Sequence, residues 1–152
     1  VNNDTKTKDQ EKRITTDMSH YLDIVIPFGE YLGFKVTEIS AGTSTCVIQA
    51  SKKLSNPNRV IHGGVLYSLA DTGMGAALFP CLNNNESCAT IENKIVYFKP
   101  IITGEICCQT RLINKGKSIA VLESEIFNKG ELAAKALGSF SIFKTANRPG
   151  SN

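Results

Sequence analysis

Residues 56–75 read NPNRVIHGGVLYSLADTGMG, and the rest of the chain is organised around them. From Gly64 to Phe79 the sequence suits a helix, which Pro80 stops. Val65, Leu66, Leu69, Ala70, Gly73, Ala76 and Ala77 leave little of its circumference polar, so it is expected to be largely buried. Gly73 and Gly75 each cost roughly 1 kcal/mol of helix propensity relative to Ala, a cost that fits a sheet lying close against the helix backbone. Two residues stand out from this apolar run. His62, one of only two histidines, directly precedes a Gly-Gly pair, and Asp71 lies between Ala70 and Thr72.

A helix begun at Gly63 or Gly64 has unpaired N–H groups in its first turn, and glycine leaves them sterically open. With the positive end of the helix dipole they can polarise a carbonyl oxygen or hold an anion. The same glycines also serve simply as a turn into a helix. Asp71 reads two ways as well, as a carboxylate set for general-base work or as an acid on an exposed strip. His62 taken alone reads as a histidine satisfied by backbone, and Asn56 as a loop residue before a proline.

Spacing adds a constraint. Eight residues separate Gly63 from Asp71, about 12 Å along one helix, too far for both to attend one reacting carbon. Two copies packed antiparallel across a two-fold axis would bring Gly63 of one to Asp71 of the other, so a functional motif here predicts an obligate dimer.

Outward from the helix, GFKVTEIS and TSTCVIQA flank Ala41-Gly42 and read as a β-hairpin. Beyond the loop LNNNES follow CATIENKIVYF, EICCQTRLI, SIAVLESEIF and ELAAKALGSFSIF, read as further strands. Turns at Asn114–Lys117 and Asn128–Gly130 separate the last three, with Gly116 and Gly130 expected at positive φ. An antiparallel sheet curled around one buried helix accommodates this order, an α+β arrangement. Met18–Leu32 is expected to be a short entry helix kinked by Pro27 and Gly29. Residues 1–17 are expected to be a disordered polar tail, 18–145 a single domain, and 146–152 a C-terminal tail.

Composition narrows the function classes. The 152 residues and 41% apolar content fit one domain, and the formal charge of +3 includes no basic run in the body, so no nucleic-acid partner is expected. No stretch suits a membrane span, and none of the five cysteines sits in a CxxC or Cys/His array. Neither a disulfide framework nor a metal site is expected, and a reducing cytoplasmic setting fits best. Cys107 and Cys108 should face opposite sides of a strand, and no cysteine has a basic neighbour that would activate it.

With these residues in hand, the chain resembles the hotdog-fold acyl-CoA thioesterases, in the branch that includes the phenylacetate-pathway thioesterase and thioesterase superfamily member 2. The likeness spans roughly residues 28 to 143 and rests on N-x5-HGG-x6-D, matched by Asn56, His62, Gly63, Gly64 and Asp71, then Thr90 opening a strand that ends YFKP. The resemblance implies that the Gly63 amide binds the thioester carbonyl, and that Asp71 of the partner subunit activates water or attacks directly. It implies that Asn56 and His62 position the thioester or the water, and that Thr90, again across the dimer, hydrogen-bonds near the acid. Gly64 is expected beside the bound substrate. Lys115, Gly116, Lys117 and Ser118 look like the turn near the CoA nucleotide in relatives, with Arg59 a second phosphate candidate, although a solvated turn explains the lysines equally.

The expected substrate is an acyl- or aryl-acyl-CoA, with no cofactor beyond the CoA it carries. The expected assembly is a homodimer or a dimer of dimers. A thioester dehydratase or isomerase, and a non-catalytic acyl-CoA-binding module, stay open on the same architecture. Tyr67, Met74, Leu78 and Phe98 are the residues expected to line the acyl pocket.

Overall fold

The computed structural model describes residues 26–146. The expected tail 1–17, the entry residues 18–25 and the last residues 147–152 lie outside this range. The first element is a short helix, α1 (Pro27–Leu32), with Pro27 at its first position and Gly33 ending it at φ 88°. Pro27 therefore opens a helix and does not kink one, because a first-turn residue has no intrahelical N–H bond to lose. Gly29 is glycine because the Phe34 ring lies 2.8 Å from where its Cβ would stand.

The hairpin falls where alternation predicts, β1 (Phe34–Ser40) and β2 (Thr43–Gln49) around Ala41-Gly42, with Gly42 at φ 85°. Its tip is tied inward by Gly42 N–H to the Ala77 carbonyl (3.0 Å) and by Leu112 N–H to the Gly42 carbonyl (2.7 Å). The central helix α2 (Gly63–Leu78) follows, then β3 (Glu86–Tyr97), β4 (Glu105–Lys115), β5 (Ile119–Asn128) and β6 (Glu131–Lys144). All strand pairs are antiparallel in the order β1-β2-β4-β5-β6-β3. The strand after the helix thus crosses to the far edge, and the sheet curls so that α2 touches all six strands.

The core forms where α2 meets the concave face. Val65, Leu66, Leu69, Ala70, Met74, Ala77 and Leu78 are buried against Cys46, Ile106, Cys108, Leu122, Ala136 and Phe140, among others. Burial of each large aliphatic side chain stabilises the fold by about 1.5–3 kcal/mol. Two glycines set the closeness of helix and sheet: a Cβ on Gly73 would stand 2.7 Å from Thr110 Oγ1, and one on Gly138 2.5 Å from Met74 Sδ. The Ser44 hydroxyl donates to the Gly73 carbonyl at 2.7 Å, which pins the helix to β2.

Three expectations about these elements are corrected. The helix is buried along one half only, since Gly64, Tyr67, Ser68, Asp71, Thr72, Gly75 and Ala76 form an open face. Gly75 lies on that face with nothing within 4 Å of where its Cβ would stand, so the close-approach argument holds for Gly73 alone. Gly116 does not use positive φ, unlike Lys129 and Gly130. Its N–H donates to the Ile119 carbonyl, and a Cβ there would crowd that same oxygen at 3.2 Å.

Candidate functional site

The open face of α2 carries Asp71, the acid that the sequence singled out. Asp71 is half-buried at mid-helix, and Thr90 Oγ1 of β3 donates to its Oδ1 at 2.9 Å. A β-bulge makes this contact: register shifts between Thr90 and Glu92, leaving Ile91 as the extra residue. Before the bulge Cys88 and Thr90 face the helix, and after it Asn93, Ile95 and Tyr97 do so, opposite the buried Gly138, Ala136 and Ala134 of β6. The hydroxyl holds one carboxylate oxygen and leaves Oδ2 for other partners.

The helix N-terminus carries the backbone-satisfied histidine that the sequence reading of His62 alone gave, and that histidine engages one of the donors of the Gly-Gly end. His62 is the N-cap, and its Nδ1 accepts the Gly64 N–H at 2.9 Å. An imidazole accepting at Nδ1 carries its proton on Nε2, so the cap fixes the tautomer and leaves Nε2–H as a donor. Gly64 must lack a side chain because its Cβ would lie 3.0 Å from that nitrogen. Its N–H is thus engaged by His62, and Gly64 offers room beside the site in place of a free donor. Val65 N–H bonds the His62 carbonyl at 2.9 Å. Gly63, first in the helix, has no intrahelical acceptor, and no hydrogen bond from its N–H to another described residue competes for it.

Tyr97 completes this end, although nothing in the sequence singled it out beyond its place in YFKP. Its hydroxyl donates to the Gly63 carbonyl at 2.9 Å, and its ring occupies the space a Gly63 side chain would need. Burial, and then the neighbouring Tyr67, raise the phenol pKa above its ordinary value, so the group stays protonated and donating at neutral pH. The signal was hidden because the bulge at Ile91 shifts strand parity, which sequence alternation cannot register.

The remaining predicted residues divide between the two ends of the helix. Asn56 braces its own loop, with Oδ1 accepting from Asn58 N (2.9 Å) and Val60 N (3.4 Å). Arg59 is exposed in that loop at φ 62°. Lys115, Gly116, Lys117 and Ser118 are exposed in the β4–β5 turn, and Lys115 acts electrostatically on Cys81, just past the C-terminal end of α2. One chain therefore holds Asn56, Arg59, His62, Gly63 and Tyr97 at one end, Asp71 and Thr90 midway, and the lysine turn near the other end.

The proposed pocket residues split likewise. Met74 and Leu78 are fully buried against the sheet, whereas Tyr67 (37% exposed) and Phe98 (51%) are open. Burial pushes the Cys46 thiol up to about 12 and Cys108 to about 11, burial also raises Cys81 against the opposing effect of Lys115, and Cys107 lies on the opposite strand face, half-buried. Among the described residues no group of three or more His, Cys, Asp or Glu side chains could hold a metal ion, and no helix is long and apolar enough to cross a membrane.

Comparison with known proteins agrees with this geometry. The sequence profile of the thioesterase superfamily matches residues 58–135, a span that includes His62, Gly63, Asp71, Thr90 and Tyr97. A protein of Saccharolobus solfataricus named "Putative esterase" is 31% identical over 118 residues, covering 76% of this chain and 83% of its own. The conserved protein PA5202 of Pseudomonas aeruginosa, whose structure is solved, is 28% identical with a TM-score of 0.72, over 78% of this chain and 95% of that one. A thioesterase of Haemophilus influenzae shares the fold, with a TM-score of 0.72 at 19% identity over 80% and 86% of the two chains. The α+β architecture, six antiparallel strands curled around one long helix, is the hotdog arrangement of these neighbours. The chain belongs to the thioesterase superfamily, as a hotdog-fold thioester hydrolase.

Proposed function

We propose that the chain hydrolyses acyl- or aryl-acyl-CoA thioesters to the free acid and CoA, in the manner of the branch that includes the phenylacetate-pathway thioesterase. The observation that carries this reading is the Asp71–Thr90 hydrogen bond on the open face of α2, on the same helix as the uncommitted Gly63 N–H. Because about 12 Å of helix separates the two, one active site takes Gly63 from one chain and Asp71 with Thr90 from another. Strand β3 supports such a pairing. It is an edge strand of 12 residues whose Ile91, Val96 and Tyr97 are exposed, a surface that a second copy can cover.

In this site the Gly63 N–H donates to the thioester oxygen as negative charge develops there, so it stabilises the transition state more than the ground state. Tyr97 holds the Gly63 peptide in place through its carbonyl. Asp71 accepts a proton from water as that water attacks the carbonyl carbon, or attacks the carbon itself, while Thr90 steadies Oδ1. Collapse of the tetrahedral intermediate breaks the C–S bond: on the water route the departing CoA thiolate takes up the proton that Asp71 accepted, and on the direct route water then hydrolyses the acyl–Asp71 anhydride, freeing the acid and the carboxylate and giving the thiolate its proton. His62 Nε2–H and the Asn56 amide nitrogen help orient thioester or water. Asp71 shares its chain with the lysine turn beyond the far end of the helix, so Lys115 and Lys117 attend the CoA phosphates, with Gly116 and Ser118 in the same turn and Arg59 of the other chain as a second cation. No separate cofactor enters these steps.

The test is a thiol-release screen over acyl-CoAs of varied chain length and aryl groups, with Asp71→Asn as the control. Turnover by the wild type and its loss in the folded Asp71→Asn protein are the expected results. Near wild-type turnover by Asp71→Asn across the screen would overturn the assignment.

A further inference from the structure

Between Thr90 and Tyr97, on the same helix-facing side of β3, lies Asn93. Its Oδ1 and Nδ2 are both buried, and neither meets a hydrogen-bond partner among the described residues. A carboxamide can accept two hydrogen bonds and donate two, and burying one unpaired forfeits all that it makes with water. The surroundings offer no structural reason for an amide. Asn93 is paired with Gly138, over which Met74 Sδ packs, and the next helix-facing residue, Ile95, packs against the core. A leucine or methionine would fill such a position without that loss.

The amide lies between the residues of β3 that touch Asp71 and Gly63. Thr90 contacts Asp71, and Tyr97 contacts Gly63, so β3 runs along the helix past a residue of each of the two sites, with Asn93 between them. Three residues of strand put Asn93 within roughly 10 Å of Thr90. At the Gly63 end of this seam lies Tyr67 (37% exposed), a surface aromatic that an entering acyl chain can displace while Tyr97 keeps its hydrogen bond to Gly63.

We infer that Asn93 is a specificity-determining residue whose carboxamide hydrogen-bonds a hydroxyl or oxo group carried on the acyl chain of the thioester. This rests on the thioesterase reading of the Asp71 site. A plain alkyl chain against Asn93 leaves the amide unpaired, whereas a hydroxylated or oxo chain satisfies it. Sites built to bind a polar group discriminate more sharply than apolar pockets do for that reason.

The experiment compares kcat/KM for CoA thioesters of one chain length bearing no substituent, a hydroxyl or an oxo group at successive carbons, in the wild type, Asn93→Leu and Asn93→Ala. The wild type is expected to favour one substituted series by about 10- to 100-fold. Both variants should lose that preference, with Asn93→Leu turning over the unsubstituted thioester at least as well as the wild type. A wild-type ratio near one at every position overturns the inference without any variant. So does a preference that survives in Asn93→Leu or Asn93→Ala while only thermal stability changes, because the amide then serves an internal water. Absence of thiol release from every CoA thioester would instead be a failure of the parent thioesterase reading.

Discussion

The two faces of helix α2 obey different rules although they alternate along one sequence. On the covered face, Gly73 exists because Thr110 and Ser44 press against the backbone, and Met74 is fully buried over Gly138. On the open face, Gly75 meets nothing within 4 Å, and Asp71 keeps a carboxylate half-exposed with one hydroxyl upon it. Two glycines two residues apart thus have unrelated causes. One face is constrained by packing density, where small changes of volume are felt; the other is free of that constraint and, on the proposed reading, answers to the thioester and to a second copy.

The largest test of this contrast pairs Asp71 on the open face with Gly63 at the helix N-terminus, where a side chain would displace the Tyr97 ring. Asp71→Asn and Gly63→Val homodimers should each lose about 10²- to 10⁴-fold in turnover, while circular dichroism shows the fold retained. Co-refolding equal amounts should restore about a quarter of wild-type activity, because half the dimers are mixed and each carries one intact site. Failure to complement would break the two-chain site.

Methyl scanning of the glycines sharpens the same comparison. Gly73→Ala is expected to destabilise by about 1–3 kcal/mol in urea unfolding, as the new Cβ meets the hydroxyl that Thr110 shares with Ser124. Gly75→Ala should instead gain about 1 kcal/mol of helix propensity in the isolated chain. A weakened dimer in sedimentation at falling concentration would show a second copy lying close on that face.

A smaller effect is expected from Tyr97→Phe, which deletes the hydrogen bond to the Gly63 carbonyl but keeps the ring. Turnover should fall by several-fold with KM little changed, the size of one modest hydrogen bond. Equal effects on kcat and KM would argue for a packing role.

Glu86 gives the smallest signal and separates an acid that serves the fold from Asp71. The Asn83 N–H on Oε2 (3.0 Å), and then Lys144, hold its carboxyl at about 2, below the ordinary 4.5. A depressed carboxylate contributes stability that is present above about 4.5 and lost as pH falls toward about 2. Glu86→Gln should therefore flatten the melting temperature across that window and leave thioester hydrolysis at neutral pH unchanged.

Much of this was legible in the sequence because periodicity and turn chemistry are local. The Ala41-Gly42 hairpin and the six strands fall within a residue or two of where alternation puts them, and the helix begins at Gly63 as its glycines suggest. Asp71 and Gly63 stood out by residue type, and helix rise alone separated them. Other features had no local signature. The bulge at Ile91 inverts strand parity, so that Thr90 reaches Asp71 and Tyr97 reaches Gly63 along one strand. The non-left-handed Gly116 depends on the approach of the Ile119 carbonyl, which no spacing rule predicts, whereas the backbone contact of His62 was legible and only its partner, the Gly64 N–H, was not. The sequence by itself determined which elements form and which residues are chemically unusual, since both follow from contacts within a few positions. Tertiary structure alone decided the open half of α2, the seam along β3 and the buried amide of Asn93, because burial and hydrogen-bond partners are set by segments distant in the chain.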